Sequence, residues 1–134
     1  MYEEPTAYFI TWTCYGTHLP GDADGWTRWH AGNRLPQPLL EDWCRERMHE
    51  SAVVLDSFQR ELIEKTIRQH CDIRGWKLHA VNCRSNHCHV VVTASGYSGN
   101  VVRDQFKSWG TRRLKEDAAK RKPSELPRER WWTT

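Results

Sequence analysis

The sequence predicts a single α+β domain, and three observations carry that expectation. Tyr8-Phe9-Ile10-Thr11-Trp12-Thr13 is rich in aromatic and β-branched residues, as strands are. After Asp56, the residues Phe58, Leu62, Ile63, Ile67 and Cys71 recur at helical spacing. From Trp76 to Ala94, two apolar stretches flank the short polar turn Arg84-Ser85-Asn86, which is the pattern of a hairpin.

The bulk properties agree with one folded domain. A chain of 134 residues suits a single unit spanning 1–134 with a modest core. Eight Trp are too many for a disordered chain, although 28% of the residues are charged. The net charge of +3 is a slight hint of a polyanionic partner. The five cysteines are odd in number, scattered and without a CxxC pair, so neither a disulfide framework nor a zinc ribbon is indicated. Reduced thiols in a cytoplasmic setting are the simplest expectation. Met1-Tyr2-Glu3-Glu4-Pro5 does not read as a signal peptide, and no apolar run approaches the ~20 residues of a membrane span.

In order along the chain, the first strand is Tyr8 to Thr13. The stretch 14–55 reads as an insertion, with a long Gly-, Asp- and Trp-rich loop from Gly16 to Asn33 and a short helix from Pro38 to Met48 that carries Pro early. Asp56 and Gln59 have capping-box spacing, and Gly75 is a natural stop for the helix between them. Trp76 to Val81 and His87 to Ala94 are the two hairpin strands. A basic amphipathic helix runs from Asn100 to about Lys122, with Val102, Phe106, Trp109, Arg113 and Leu114 along one side. Pro123 opens the tail 123–134, whose Trp131-Trp132 pair is expected to pack onto the domain.

Strand, insertion, helix, strand, strand, helix is the order of a ferredoxin-like βαββα(β) domain without an obvious fourth strand. The expected sheet is antiparallel or mixed, with both helices on one face and the first strand parallel beside the His-bearing strand.

The chemistry-bearing feature is His87-Cys88-His89. Alternation on a strand points both imidazoles the same way. Neutral imidazole suits several divalent metals. Two ligands alone bind weakly, and an open site completed by water and a substrate phosphate suits phosphate chemistry. A bare HxH also arises by chance on a half-exposed strand. The tight Asn86 turn before it and the apolar run Val90-Val91-Val92 after it favour a site.

Asn86-His87-Cys88-His89-Val90-Val91-Val92 resembles the HUH motif (His, bulky apolar, His) of single-strand DNA transposases, in particular the REP-associated tyrosine transposases. Tyr8-Phe9-Ile10-Thr11-Trp12-Thr13-Cys14-Tyr15-Gly16-Thr17 resembles their opening strand. Leu78-His79-Ala80-Val81 resembles the strand before the motif, and Phe106 to Leu114 the helix after it. The resemblance runs from about Tyr8 to Leu114. It implies DNA transposition and recombination by a small, usually dimeric protein that binds hairpins in single-stranded DNA. It also implies Mg²⁺ or Mn²⁺ held by His87 and His89, and a helix-borne Tyr that forms a phosphotyrosyl link before the strand is rejoined.

One part is missing. The family's Tyr position falls at about Leu114, and the helix from Asn100 to Lys122 contains no Tyr. The remaining candidates are Tyr2, Tyr8, Tyr15 and Tyr97. Packing or surface roles suit each of them, and Tyr97, in a Gly-flanked loop, ranks first as nucleophile. Parallel pairing would put Tyr8 at the His end of the sheet and Tyr15 at the other. Asp117, or Glu116, falls near the family's third-ligand position, although a solvated helix-face charge is the plainer role. His79 is another candidate, with a buried hydrogen-bonded role as the alternative.

For DNA, Lys107, Trp109, Arg112, Arg113 and Lys115 on the basic helix suggest a phosphate-tracking surface with an aromatic for stacking, as does Arg84 at the turn. Arg128 and Arg130 lean the same way. Trp26 and Trp29 could stack on bases or close the loop over the core. Three functions follow: an HUH-type nicking and rejoining enzyme, a silent hairpin-binding relative, and a metal-dependent hydrolase with no DNA role. The ending at Trp131-Trp132-Thr133-Thr134 also resembles a point inside longer relatives, which implies a sheet edge left exposed or filled by a partner chain.

Overall fold

A computed structural model describes residues 4–17, 19, 26–28 and 32–133, with backbone alone at 26–28. The elements are β1 (Tyr8–Thr13), β2 (Trp26–Arg28), β3 (Gly32–Arg34), α1 (Pro38–Glu46), α2 (Ser57–Arg74), β4 (Lys77–Cys83), β5 (His87–Thr93) and α3 (Gly99–Arg121). The fold is α+β. β1, β5 and β4 form an antiparallel sheet in that order. The Gly16–Asn33 stretch, expected to be a loop throughout, contains the short β2–β3 pair, with Trp26 opposite Arg34.

The expected parallel pairing of β1 with the His strand is incorrect. β1 pairs antiparallel with β5, Tyr8 opposite Val92 and Thr13 opposite His87. The reason is topological. The hairpin makes β5 antiparallel to β4. The α2 connection returns β4 in the same direction as β1, and β5 lies between the two. Consequently Tyr15, just past Thr13, lies at the His end of the sheet, and Tyr8 lies at the far end.

Each helix has the local chemistry its boundaries need. The Asp56 carboxylate accepts from the Gln59 backbone N–H at 2.7 Å, and the Gln59 side chain accepts from the Asp56 N–H at 2.9 Å, a closed capping box. Gly75 ends α2 at φ 73°, in the left-handed region that glycine enters without strain. Ser98 caps α3 by accepting from Val101 N–H. α1 has Pro38 in its first turn and buries none of its residues.

One face of the sheet makes the core. Ile10, Trp12 and Cys14 from β1, Cys83 from β4, and Cys88, Val90 and Val92 from β5 pack with Ile63 and Ile67 of α2 and with Val102, Phe106 and Leu114 of α3. The tail closes the core, as its two Trp led one to expect. Trp131 and Trp132 are buried. Trp132 sits edge-on to Trp12 at 6.1 Å, and its indole N–H donates to the Lys107 carbonyl and the Thr111 hydroxyl. Tyr15 N–H donates to Trp131 O, and Thr133 N–H to Thr13 O. Cys14 and Trp132 thus form a single antiparallel bridge beyond the end of β1. Among the described residues, no strand pairs with the rest of β1's outer edge.

Gly16 shows how closely the insertion returns to β1. A Cβ there would lie 2.6 Å from Met48 Cε and 2.8 Å from Ala52 Cβ, and φ is +81°. Only glycine satisfies both constraints.

Two stability changes are expected. Trp132→Ala should cost about 3–5 kcal/mol, the range for emptying a buried aromatic site, read from urea unfolding. Asp56→Ala should cost about 1 kcal/mol through loss of the cap. Burial raises the Asp56 carboxyl, but the Gln59 N–H and Arg121 outweigh it, and the folded-state value lies below the ordinary one. The cap's contribution should therefore be present at neutral pH and be lost as pH falls through the acid range, and the difference between Asp56→Ala and the parent should shrink there.

Candidate metal and nucleic-acid site

The alternation of β5 decides where the histidines go. Cys88, Val90 and Val92 are fully buried, so His87, His89, Val91 and Thr93 project from the opposite face. In register beside them are Thr13 opposite His87, Thr11 and Asn82 opposite His89, and Phe9 and Ala80 opposite Val91. No described helix or strand packs on this face.

The two imidazoles lie together, ring centroids 4.5 Å apart and nearly perpendicular. Each Nδ1 has a partner. His87 Nδ1 lies 2.6 Å from the Asn86 side-chain oxygen. A carbonyl oxygen only accepts, so Nδ1 donates its proton in this contact. His89 Nδ1 lies 2.9 Å from the Thr11 hydroxyl. In the matching tautomer Nδ1–H donates to that oxygen. Anchoring one ring nitrogen in this way fixes tautomer and orientation for a metal on the other. His89 also stacks on Phe9, 5.6 Å away at an interplanar angle of 14°.

The turn before the pair is held from three sides. Cys14 N–H donates to Asn86 O at 2.8 Å, the Thr17 hydroxyl donates to the same oxygen, and Leu55 N–H donates to Ser85 O at 2.7 Å. β1, the insertion and the hairpin therefore meet at the root of the histidine pair.

The donor set suits a hard divalent ion in part. Two imidazoles lie side by side, and Thr11, Thr13 and Asn82 bring neutral oxygens to the same face. Among the described residues, no third His, Cys, Asp or Glu joins the pair. Water and an incoming phosphate would have to complete any coordination. β1, β4 and β5 contain no Asp or Glu.

The other predicted site residues lie elsewhere. Asp117 is on α3, where its carboxylate accepts two hydrogen bonds from Arg121 Nε and one from Arg121 Nη2, at 2.7–3.0 Å. Glu116 pairs with Arg113. Leu114, at the family's Tyr position, is fully buried in the core. α3 covers the face opposite the histidines, because Phe106 packs on Trp12 on the core side of β1. Tyr97 follows the far end of β5, and its ring lies edge-on to Trp76 at 5.2 Å. Its carbonyl accepts from the Tyr8 hydroxyl at 2.6 Å. Tyr15, although at the His end, packs against the core, and its hydroxyl accepts from the His49 N–H at 3.2 Å. The structure brings none of these tyrosines to the pair. Tyr2, the Trp26 side chain and Trp29 lie outside the described residues. His79 is exposed rather than buried, with Nε2 at 2.8 Å from the Thr93 hydroxyl, at the far end from the pair.

The basic residues form two groups. Arg84 is exposed at the turn, and its N–H donates to His87 O. Across the sheet on α3, Arg112 lies over the Trp109 ring at 4.6 Å and Arg113 at 5.9 Å, beside exposed Lys115. Lys107 belongs to neither group. Its ammonium donates to Thr133 O, and burial, followed by the nearby Arg103 charge, holds its pKa below the usual lysine value. A groove of about 1070 Å³ between α2, the end of α3 and the tail includes neither histidine. Both histidines are half-buried, and among the described residues no helix or strand packs over them.

Sequence reasoning missed Thr11 and Phe9. Their signal was present, since Phe9, Thr11 and Thr13 share one parity and Ile10, Trp12 and Cys14 the other. No protein-family model and no curated protein matches this chain.

Cys88, between the histidines, points into the core, where its Sγ lies 3.0 Å from Cys83 Sγ. That hydrogen bond and burial push the Cys88 thiol far up. Burial and Cys83 push Cys14 to about 12, and burial and Asp72 push Cys71 to about 11. Thiolate is the reactive form. At about pH 8, iodoacetamide should therefore modify half-exposed Cys44 first. The other four should react only in denaturant, as read by peptide mass mapping.

Proposed function

We propose that this chain is a transposase-like HUH domain on a ferredoxin-like scaffold, which binds hairpin-bearing single-stranded DNA through a divalent ion at His87 and His89. The observation that carries the reading is the pair itself: two imidazoles 4.5 Å apart on one strand face, each with Nδ1 engaged by a neighbour. Mg²⁺ or Mn²⁺ held there would neutralise and polarise a backbone phosphate. Asn86 and Thr11 orient the rings, and Arg84 adds a positive charge at the turn. Trp109, Arg112, Arg113 and Lys115 supply a second basic surface for the duplex part of a hairpin. A homodimer belongs to the same reading.

Of the two DNA readings, we favour binding without strand cleavage. Leu114 stands in the core where the family's tyrosine would stand, and Tyr8, Tyr15 and Tyr97 are occupied away from the pair. Among the described residues this face carries no carboxylate and forms no enclosed pocket, which suits a polyanionic polymer better than a small hydrolase substrate.

Mn²⁺ titration followed by NMR tests the metal. The ring signals of His87 and His89 should broaden first, and His87→Ala should abolish the effect at His89. Loss of the anchor in Asn86→Ala should weaken Mn²⁺ binding about 10–100-fold by calorimetry. Uniform broadening over all histidines would count against the site.

DNA binding should weaken steeply with salt, and Arg84→Ala should reduce the log–log salt slope by about 1. A flat salt response would remove both DNA readings in favour of the hydrolase. Incubation with a hairpin oligonucleotide and Mn²⁺ should give no covalent adduct. An adduct lost on changing one tyrosine would instead establish the nicking enzyme.

A further inference from the structure

We propose that Phe9 is a base-stacking subsite, whose outer ring face takes an unpaired base of the single-stranded DNA engaged at His87 and His89. The inference rests on the DNA reading above and assigns it a residue.

Phe9 is a large apolar side chain left in water. It lies on the edge strand β1 and is 71% exposed, whereas its neighbours Ile10 and Trp12 are 6% and 4% exposed. No described element covers it. Its contact with His89 is diagonal across the β1–β5 pair, within reach of aromatic side chains. The result is a row of three rings: Phe9 stacked on His89, and His89 perpendicular to His87. One end of the row is an aromatic plane open to solvent. The other end is the candidate phosphate-binding pair.

The chemistry of the surrounding face selects the occupant. The strand residues around Phe9 bring imidazoles at His79, His87 and His89 and the ammonium of Lys77, and no carboxylate. Hydroxyls at Thr11, Thr13 and Thr93 line the same surface. An apolar peptide would have to cover these polar groups without replacing their water. A nucleotide matches both parts, with a planar base for the ring and an anionic backbone for the imidazoles. Stacking is tolerant of sequence, so Phe9 would add affinity for unpaired nucleotides whatever the base.

The test measures fluorescence anisotropy of a labelled DNA hairpin with unpaired flanks, with Mn²⁺ present and the full chain throughout. Phe9→Ala should weaken binding about 5–100-fold. Phe9→Tyr should bind like the parent. Phe9→Leu, which keeps the apolar bulk and loses the π face, should be as weak as Phe9→Ala. Abasic flanks should weaken the parent and leave Phe9→Ala unchanged. Circular dichroism of each variant should match the parent, because Phe9 is outside the core. If Phe9→Ala or Phe9→Leu binds like the parent, the stacking subsite is wrong and the DNA reading stands. If the parent itself does not bind the hairpin, both fall.

Discussion

The buried side of β5 is the constraint on which the rest depends. Cys88, Val90 and Val92 are all fully buried, each contributing to the layer between sheet and helices. Side-chain alternation leaves no choice for the residues between them. A slip of one residue would carry both histidines into the core and three apolar side chains into water. At about 1.5–3 kcal/mol for each fully buried apolar side chain, that slip is prohibitive. The geometry of the imidazole pair is thus held by hydrophobic packing on the other side of the strand.

The same constraint separates the basic surface of α3 from the histidine pair. α3 has to cover the apolar face, because that is where Val102, Phe106 and Leu114 are buried. Its Arg112, Arg113 and Lys115 therefore lie across the sheet from His87 and His89. A helix placed in this way cannot deliver a side chain from the Leu114 position to the pair without leaving the core. Absence of tyrosine from α3 and burial of that position are two consequences of one arrangement, in which Leu114 serves packing. Arg84 escapes the separation because it belongs to the turn.

How much was legible follows the range of the interactions. β1, the capping box at Asp56 and Gln59, the Gly75 stop and the hairpin are local, and their residues announce them. The shared face of His87 and His89 also follows from a period of two. The direction of β1 against β5 does not, because it depends on which strand enters between the others, and so the ends at which Tyr8 and Tyr15 lie were exchanged. His79 misled for a different reason. The register shift between Leu78 and Ala80 breaks the alternation that would otherwise predict its exposure. Thr11 and Asn86 looked ordinary in sequence. Only the pairing of Thr11 with His89, and the local bond from His87 to the Asn86 side chain, give them a part in orienting the rings.

What the face can do is limited by what it lacks. Among the described residues, the pair is joined only by neutral oxygens, which would leave the positive charge of a bound divalent ion uncompensated. A carboxylate ligand would bind the ion more tightly and would also repel an incoming phosphate. Under the function proposed above, ion and phosphate would each supply what the other is missing, and their binding would be coupled: the ion held better when DNA is present, and DNA better when the ion is present. A site of that kind would be weak alone and strong in combination, which suits a polymer whose many phosphates are individually ordinary, and the alternation of β5 is what would hold both rings on one face for it.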